Sequence, residues 1–464
     1  MSKDIFEEML NQRTDNDLFN TANHAGQTYL NEIIQREVYP TDEAVAALEV
    51  FAEPLADHGI AAEEVLEMLH TFGSAATVAT QSGRYFGFVT GGALPVSLAA
   101  RILGDYWDQN PALYVCSPTI ATLESTCEAW LRELLKLPQN VVAGFVTGSS
   151  VAIFCGLAAG RYRLLNNLGW DVSQKGLYSA PRLRVIAPKV VHGTVLKAVS
   201  LLGLGHDSIE WLECDSEGRV LTEQLPIIDQ RCLVILQAGN VCSGCYDDFQ
   251  AIIPLAKAAG AWVHVDGAFG LWAAASETLR PLTVGMTEAD SFSMDGHKSL
   301  NLPYDNGIVL CADKEALLVA MHNSGSYAEP SNDRDSMLYG PEMSRRGRAV
   351  DLWAALKYLG KEGVATLILR LHTTAVKIAD GLRSRGFNIV NDVVFNQVLV
   401  ACDSDELTEL ALEHLQSSGD VWLGGALWND QKVMRISVCS WMTTQADIEI
   451  TLKAFVKALD KASQ

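Results

Sequence analysis

Ala261-Trp-Val-His-Val-Asp266 is a short apolar run that stops on a carboxylate, and Asp290-Ser-Phe-Ser-Met-Asp295 does the same before leading into Gly296-His297-Lys298. Short apolar runs closed by turn residues read as strands buried on both faces. The same reading applies to Gly144-Phe-Val-Thr147, Arg184-Val-Ile-Ala187, Leu233-Val-Ile-Leu-Gln237 and Gly307-Ile-Val-Leu-Cys311. Most segments between these runs are long enough for a crossover helix. The alternation predicts an α/β fold with a largely parallel sheet across residues 140–312.

Outward from this block the pattern changes. Residues 1–100 are predicted to be helical and peripheral. Thr41 precedes the acidic pair Asp42-Glu43 as a helix cap, Leu48, Phe51 and Leu55 recur at helical spacing, and residues 60–69 form another helix. Residues 81–92 are rich in glycine and aromatics and read as a loop. Residues 313–345 break the alternation, with a polar surface loop at 323–335. From Ala349 a long helical pattern returns, followed by strand candidates at 393–400 and 434–440. The expected division is an N-terminal helical segment at 1–100, a large domain at 101–355 and a small α+β domain at 356–464.

A chain of 464 residues exceeds one minimal core. Its 35 Lys+Arg against 56 Asp+Glu give a formal charge of −21, which favours solubility and argues against nucleic acid or an anionic membrane as partner. The acidic start carries no apolar leader, and no apolar run reaches the roughly 18 residues of a membrane span. The ten cysteines are scattered, several within apolar runs (Cys155, Cys311, Cys402, Cys439), as reduced core residues are. A cytoplasmic enzyme is expected.

In open α/β sheets ligands bind beyond the carboxyl ends of the strands. Thr147-Gly148-Ser149-Ser150 ends one strand and opens a helix from Val151 to about Arg161, a place where free N–H groups and two hydroxyls can meet a phosphate. His192 follows another strand, though a histidine there also serves as an ordinary structural residue. Gln237-Ala-Gly-Asn240 and Tyr246-Asp247-Asp248 form a further strand-end turn, whose carboxylates read equally as solvated. Asp266 closes a run too apolar to bury a charge unpaired. A protonated pyridine nitrogen would partner it and would stay cationic. Lys298, 32 residues on, can form an imine with a carbonyl. The pair points to a protein-bound aldehyde cofactor, pyridoxal 5'-phosphate (PLP).

Taken in order, His264-Val-Asp266-Gly-Ala-Phe-Gly270, Asp295-Gly-His-Lys298 and Asn301-Leu-Pro-Tyr-Asp305-Asn-Gly307 resemble the group II PLP-dependent amino-acid decarboxylases, of fold type I in the aspartate aminotransferase superfamily. Pro188-Lys-Val-Val-His192, Gln237-Ala-Gly-Asn240, Asp247-Asp248 and Ser344-Arg-Arg-Gly-Arg348 fit the same family in the same order. The resemblance implies a mainly parallel seven-stranded sheet and a homodimer, with the N-terminal segment packed on the partner and the active site at the interface. It implies decarboxylation of an L-amino acid to the amine and CO2. Lys298 would be the Schiff-base lysine and Asp266 the partner of the pyridinium. His192 would stack on one ring face and Ala268 pack against the other. Ser149 and Ser150 would hold the phosphate with His297 nearby, and Asn240 would lie near the phenolic oxygen or the phosphate. Tyr327, in the 323–335 loop, would protonate the carbon that loses CO2.

The chain departs from the family pattern at Ser299, Asp295-Gly296, Asn240 and Ile153. Two rival chemistries use the same cofactor. One is carbon–carbon lysis of the aldolase or sphingosine-phosphate-lyase type, and the other is aminotransfer. Arg345, Arg346 and Arg348 are candidates for a carboxylate anchor or for structural ion pairs. Tyr85-Phe-Gly-Phe88 and residues 114–119 are candidate pocket walls. Cys242-Ser-Gly-Cys245 has the spacing of half a zinc site, but no second pair follows, so no metal is expected.

Overall fold

The structure is a computed structural model and describes residues 5–14, 16–322 and 333–464. Tyr327 lies outside the described residues. The chain opens with helices α1 (Ile5–Thr14), α2 (Asn16–Glu32), α3 (Asp42–Ala46) and α4 (Ala62–Met68), none of which buries a residue. Thr41 caps α3 as expected, through the amide of Ala44 at 3.3 Å. The helix expected through Leu48 and Leu55 stops early: residues 47–51 tighten into a 3₁₀ turn and Leu55 is fully exposed. Among the described residues the stripe is only partly covered, with Leu48 half-buried and Phe51 and Leu55 exposed, so its spacing brings little burial.

Helices α5 (Pro95–Trp107) and α6 (Pro118–Leu135) lead into the sheet. Its strands are β1 (Val142–Val146), β2 (Arg184–Pro188), β3 (Ile209–Leu212), β4 (Cys232–Gln237), β5 (Trp262–Asp266), β6 (Ser291–Asp295) and β7 (Gly307–Cys311), in spatial order β1-β7-β6-β5-β4-β2-β3. β7 runs antiparallel to both neighbours and every other pairing is parallel, so the ends of β1, β2, β4, β5 and β6 share one edge. This is the seven-stranded, mainly parallel α/β sheet expected. The sequence reading missed β3: Ile209-Glu-Trp-Leu212 is an edge strand with an exposed Trp211, too mixed to stand out as an apolar run.

Side chains alternate between two cores. In β4, Val234 and Leu236 face one cluster and Leu233 and Ile235 the other. The first face is covered by α6, α10 (Phe249–Ala258) and the start of α12 (Ala349–Arg383). The second is covered by α7 (Ser149–Asn167), α9 (Gly193–Leu201) and α11 (Lys314–Ala320). Between α7 and α9 lies the one-turn helix α8 (Val172–Lys175). Burial on both sides explains why these strands read as continuous apolar runs. Glycine lets α7 lie close to the sheet: a Cβ at Gly156 would stand 2.7 Å from Nδ1 of His264. Helix α11 is a difference from the sequence reading, which had no helix within 313–345. Its cap is Asp313, whose side chain accepts from the amide of Ala316.

Helix α12 kinks at Gly360 (φ 60°) and passes into a four-stranded antiparallel sheet of β8 (Asn388–Ile389), β9 (Gln397–Ala401), β10 (Gly424–Trp428) and β11 (Gln431–Ser437), ordered β10-β11-β9-β8. Helices α13 (Asp405–Gln416) and α14 (Gln445–Ala462) close a third core against it. Of the two strands expected here, β9 starts later and β11 ends earlier than their apolar runs.

Candidate active site

Asp266 and Asp295 end adjacent parallel strands, and both are buried. Asp266 Oδ1 accepts from Ser293 Oγ at 2.9 Å and from the Ala268 amide at 3.3 Å. Among the described residues Oδ2 receives no hydrogen bond. Burial pushes this carboxyl up from its ordinary range, against the pull of Ser293, Lys298 and His192. A buried acceptor with one oxygen unfilled suits a cationic heterocycle N–H.

Lys298 Nζ lies 3.2 Å from Asp295 Oδ2, while Asp295 Oδ1 accepts from the Ser149 amide at 2.6 Å. Asp295 therefore ties the lysine to the first turn of α7. No side chain caps that helix by hydrogen bond. Among the described residues the Ser150 amide and the hydroxyls of Ser149 and Ser150 have no partner, and Ser150 is exposed. Close approach of Gly148 and Gly307 shapes this cradle: a Cβ on Gly307 would sit 2.3 Å from the Gly148 Cα. Open N–H groups and hydroxyls at a helix start fit a phosphate.

His297 Nδ1 accepts the Asn306 amide at 3.0 Å, so its proton sits on Nε2, which lies 3.7 Å from Asp295 Oδ2. Its ring packs on Tyr304, with centroids 4.2 Å apart. His192 caps α9, with Nδ1 accepting the Thr194 amide at 3.3 Å, and this too leaves the proton on Nε2. The ring keeps an exposed face, yet surrounding protein withholds enough solvent to push its pKa below the ordinary imidazole value. Burial lowers that of His297 as well.

The structure brings Lys298, Asp266, His192, His297, Ser149, Ser150 and Ala268 to this edge. Ala268 links the two strand ends, its carbonyl accepting the Asp295 amide at 2.8 Å. Asn240 is fully buried and turned inward. Its Nδ2 donates to Val190 O at 3.1 Å, and its Oδ1 accepts the amides of Cys242 and Ser243. Asp247, read as solvated, is instead buried and accepts the amides of Val220 and Gln237. Burial pushes its carboxyl up to about 6.

Arg345 pairs with Glu124, Arg346 with Asp305 and Asp351, and Arg348 with Asp305 and Glu342. These are structural ion pairs, the second of the two readings. Cys242 and Cys245 are free thiols, and no cluster of three or more candidate metal ligands stands among the described residues. In the loop at 81–92, Tyr85 stacks on Trp422 at 5.3 Å, with Phe88 against the same ring at 5.4 Å. Phe88 and Val89 are both left-handed (φ 53° and 58°), an uncommon state for a valine.

Two residues were not anticipated. Ser293 steadies Asp266, and its alternation within β6 was the only available signal. Arg435 on β11 donates to Val241 O at 2.9 Å, forms no ion pair among the described residues, and acts electrostatically on His192 and Cys242. Only the fold brings it near the site.

Residues 56–401 match the family model described as "Pyridoxal-dependent decarboxylase conserved domain". The chain is 27% identical over 339 residues to a mouse acidic amino acid decarboxylase (69% of this chain, 60% of that protein). It is 26% identical over 345 residues to an aromatic-L-amino-acid decarboxylase of Bacillus atrophaeus (72% and 70%). It is 27% identical over 337 residues to human cysteine sulfinic acid decarboxylase (69% and 67%). The aligned part thus spans about 60–70% of these relatives' lengths. Among solved structures, Oryza sativa TDC with PLP and tryptamine superposes with a TM-score of 0.89 at 18% identity, covering 97% of this chain and 99% of that one. Catharanthus roseus tryptophan decarboxylase with L-tryptophan gives 0.83 at 18%, covering 99% of each. At such identity these two establish the fold alone.

Proposed function

The chain belongs to the pyridoxal-dependent decarboxylase family, and on that premise we propose how its residues remove CO2 from an L-amino acid. It is a PLP-dependent carboxy-lyase of fold type I. Bound at this edge, PLP supplies an aldehyde carbon for an amine and a protonated ring that accepts the electron pair left by departing CO2. Lys298 anchors the aldehyde end. Asp266, with Oδ2 unfilled, would keep the ring nitrogen protonated. His192, neutral and fixed by Thr194, would stack on one face of the ring, and Ala268 would pack against the other. The first turn of α7, through Ser149 and Ser150, would hold the phosphate, with the Nε2–H of His297 beside the same cradle. Asn240 acts through the Val190 carbonyl, two residues before His192, to set that ring's position. Tyr327 would deliver the proton to the carbon that loses CO2. Seven residues on, Arg334 pairs with Glu124 and Glu128 and packs on Tyr339. The carrying observation is that Asp266 and Lys298 come together, within electrostatic range, at the ends of adjacent strands, with a helix start left open beside them.

Arg435 is the cation left for a substrate carboxylate. With Arg345, Arg346 and Arg348 committed and Tyr85, Phe88 and Trp422 forming a wall, the favoured side chain is aromatic or large and apolar. A panel of L-amino acids scored by CO2 release tests this, with Lys298→Ala as the control that loses both turnover and the near-visible band of lysine-bound cofactor. Release of aldehyde without CO2, or amino transfer to 2-oxoglutarate as the main reaction, would reject decarboxylation. Faster turnover of glutamate, aspartate or cysteine sulfinate than of any aromatic amino acid would reject only the side-chain assignment.

The helices that bury nothing on their own chain expose Ile5, Phe6, Met9 and Leu10. That surface supports a homodimer in which residues 1–100 pack on the partner and the site lies at the interface, with the large domain at 101–355 and the small at 356–464. Ten unpaired cysteines support a cytoplasmic location.

A further inference from the structure

We propose that Asn301 is a positioning residue that sets the register of the Lys298 turn against the pocket loop and the small domain. The inference rests on Lys298 being the cofactor lysine. Asn301 is fully buried and left-handed (φ 58°), a conformation asparagine tolerates better than most side chains. Its own amide donates to Lys298 O at 2.9 Å and its carbonyl accepts from the Leu94 amide at 2.8 Å. Its Oδ1 accepts the amides of Gly92 at 2.9 Å and Trp441 at 3.0 Å. Its Nδ2 donates to Ser299 O at 3.0 Å and Cys439 O at 3.1 Å.

Those six bonds use both side-chain donors, both Oδ1 lone pairs and both backbone groups. They join three segments far apart in sequence: the turn carrying Lys298, the loop leading from Tyr85 to Leu94, and the stretch after β11. The segments meet tightly. A Cβ on Gly91 would stand 2.2 Å from Lys298 O, and Trp441 Nε1 donates to Ala93 O at 3.2 Å. On its other side the turn is held by Ser299 Oγ, which donates to Phe269 O at 3.0 Å. Lys298 Nζ faces Asp295 from β6, with Asp266, His192 and the Cys439 thiol in electrostatic range. A shift of this turn therefore moves the amine relative to its charged neighbours and to the pocket wall at once.

Two variants test this on the full chain loaded with PLP. Asn301→Gly keeps the left-handed backbone and deletes the staple. Asn301→Asp keeps the shape but turns a donor pair toward Ser299 O and Cys439 O into an acceptor. The readouts are the pH midpoint of the lysine-bound cofactor's absorbance, kcat and KM separately, and thermal unfolding. Leu452→Ala, a cavity in the small-domain core, serves as a stability control. The expected result is a displaced midpoint and a kcat about 10- to 100-fold lower in both variants, as misplacement of a reacting group produces, with neither change in the control. Wild-type midpoint and kcat in either variant would overturn the proposal, whatever its thermal loss. Failure of both to fold would assign Asn301 to folding alone and overturn it too. If the wild-type chain itself shows no lysine-bound band, the reading of Lys298 fails instead.

Discussion

Ser293→Ala removes one hydroxyl and is expected to shift the acid limb of activity without harming the enzyme above it. Ser293 is fully buried and stands opposite Asp266 in the β5–β6 register. Its Oγ donates at 2.9 Å, while the other bond to Oδ1, from the Ala268 amide, is longer at 3.3 Å. A hydrogen bond to a charged group contributes about 1.5–3 kcal/mol, so its loss moves the balance between carboxylate and carboxylic acid roughly 10- to 100-fold toward the acid. Burial already raises the Asp266 carboxyl, and the variant raises it further. The sign follows. Well above this pKa Asp266 stays ionised and kcat/KM approaches wild type, whereas below it the protonated acid cannot hold a proton on the ring nitrogen. Measured as kcat/KM against pH with saturating PLP, the acid limb should move to higher pH. A uniform loss at every pH would mean that Ser293 acts through packing, and an unmoved limb with full cofactor occupancy would refute the role of Asp266.

Glu124 is completely buried between Arg334 and Arg345 (3.0 and 2.7 Å) and also accepts from Ser336 at 2.6 Å. Burial alone would raise its carboxyl, but the two guanidinium groups outweigh that and hold it below the ordinary range. Its contribution to stability is therefore present above the ordinary carboxylate range and is lost as pH falls through the lowered value. Glu124→Gln should cost about 3–5 kcal/mol at neutral pH, because it strands buried charge, and a loss below about 1 kcal/mol in urea titrations would contradict the pairing. Arg435→Met should lower kcat/KM about 10- to 100-fold, chiefly through KM, and an unchanged KM would remove Arg435 as the carboxylate anchor. Tyr327→Phe should lower kcat about 10²- to 10⁴-fold at constant KM and melting temperature, and a wild-type kcat would leave Tyr327 as a loop aromatic.

The large sheet was legible because its strands are buried on both faces and lose polar alternation. Gly307–Cys311 matches its predicted bounds for that reason. β3 and β10 escaped because edge strands keep exposed residues such as Trp211 and Leu427. The site was legible where a polar residue closes an apolar run, as Asp266 and Asp295 do. Residues that act from within a strand or from another lobe were not. Ser293 looks like any small residue of a buried run, and Arg435 reaches the site only because β11 packs beside the turn at Val241. The arginines at 345–348 show the reverse. Their charges invited a substrate role, and folding spends them on Glu124, Asp305, Asp351 and Glu342.

Asp295 carries the last step. A carboxylate beside a phosphate cradle looks adverse, since two anions at one helix start repel. The geometry separates them. Among the described residues Asp295 accepts the Ser149 amide and directs its other oxygen to Lys298, with His297 Nε2 at 3.7 Å, while the Ser150 amide and both serine hydroxyls stay open. On the proposed reading the anion at 295 serves the lysine, and phosphate binding would fall to the serine pair. Asp295→Asn would keep the bond to Ser149 but lose the charge facing Lys298. It should thus disturb the placement of the lysine amine, read as the absorbance of the lysine-bound cofactor, more than PLP affinity. A large fall in PLP affinity with an unchanged cofactor absorbance titration would place Asp295 among the phosphate contacts instead.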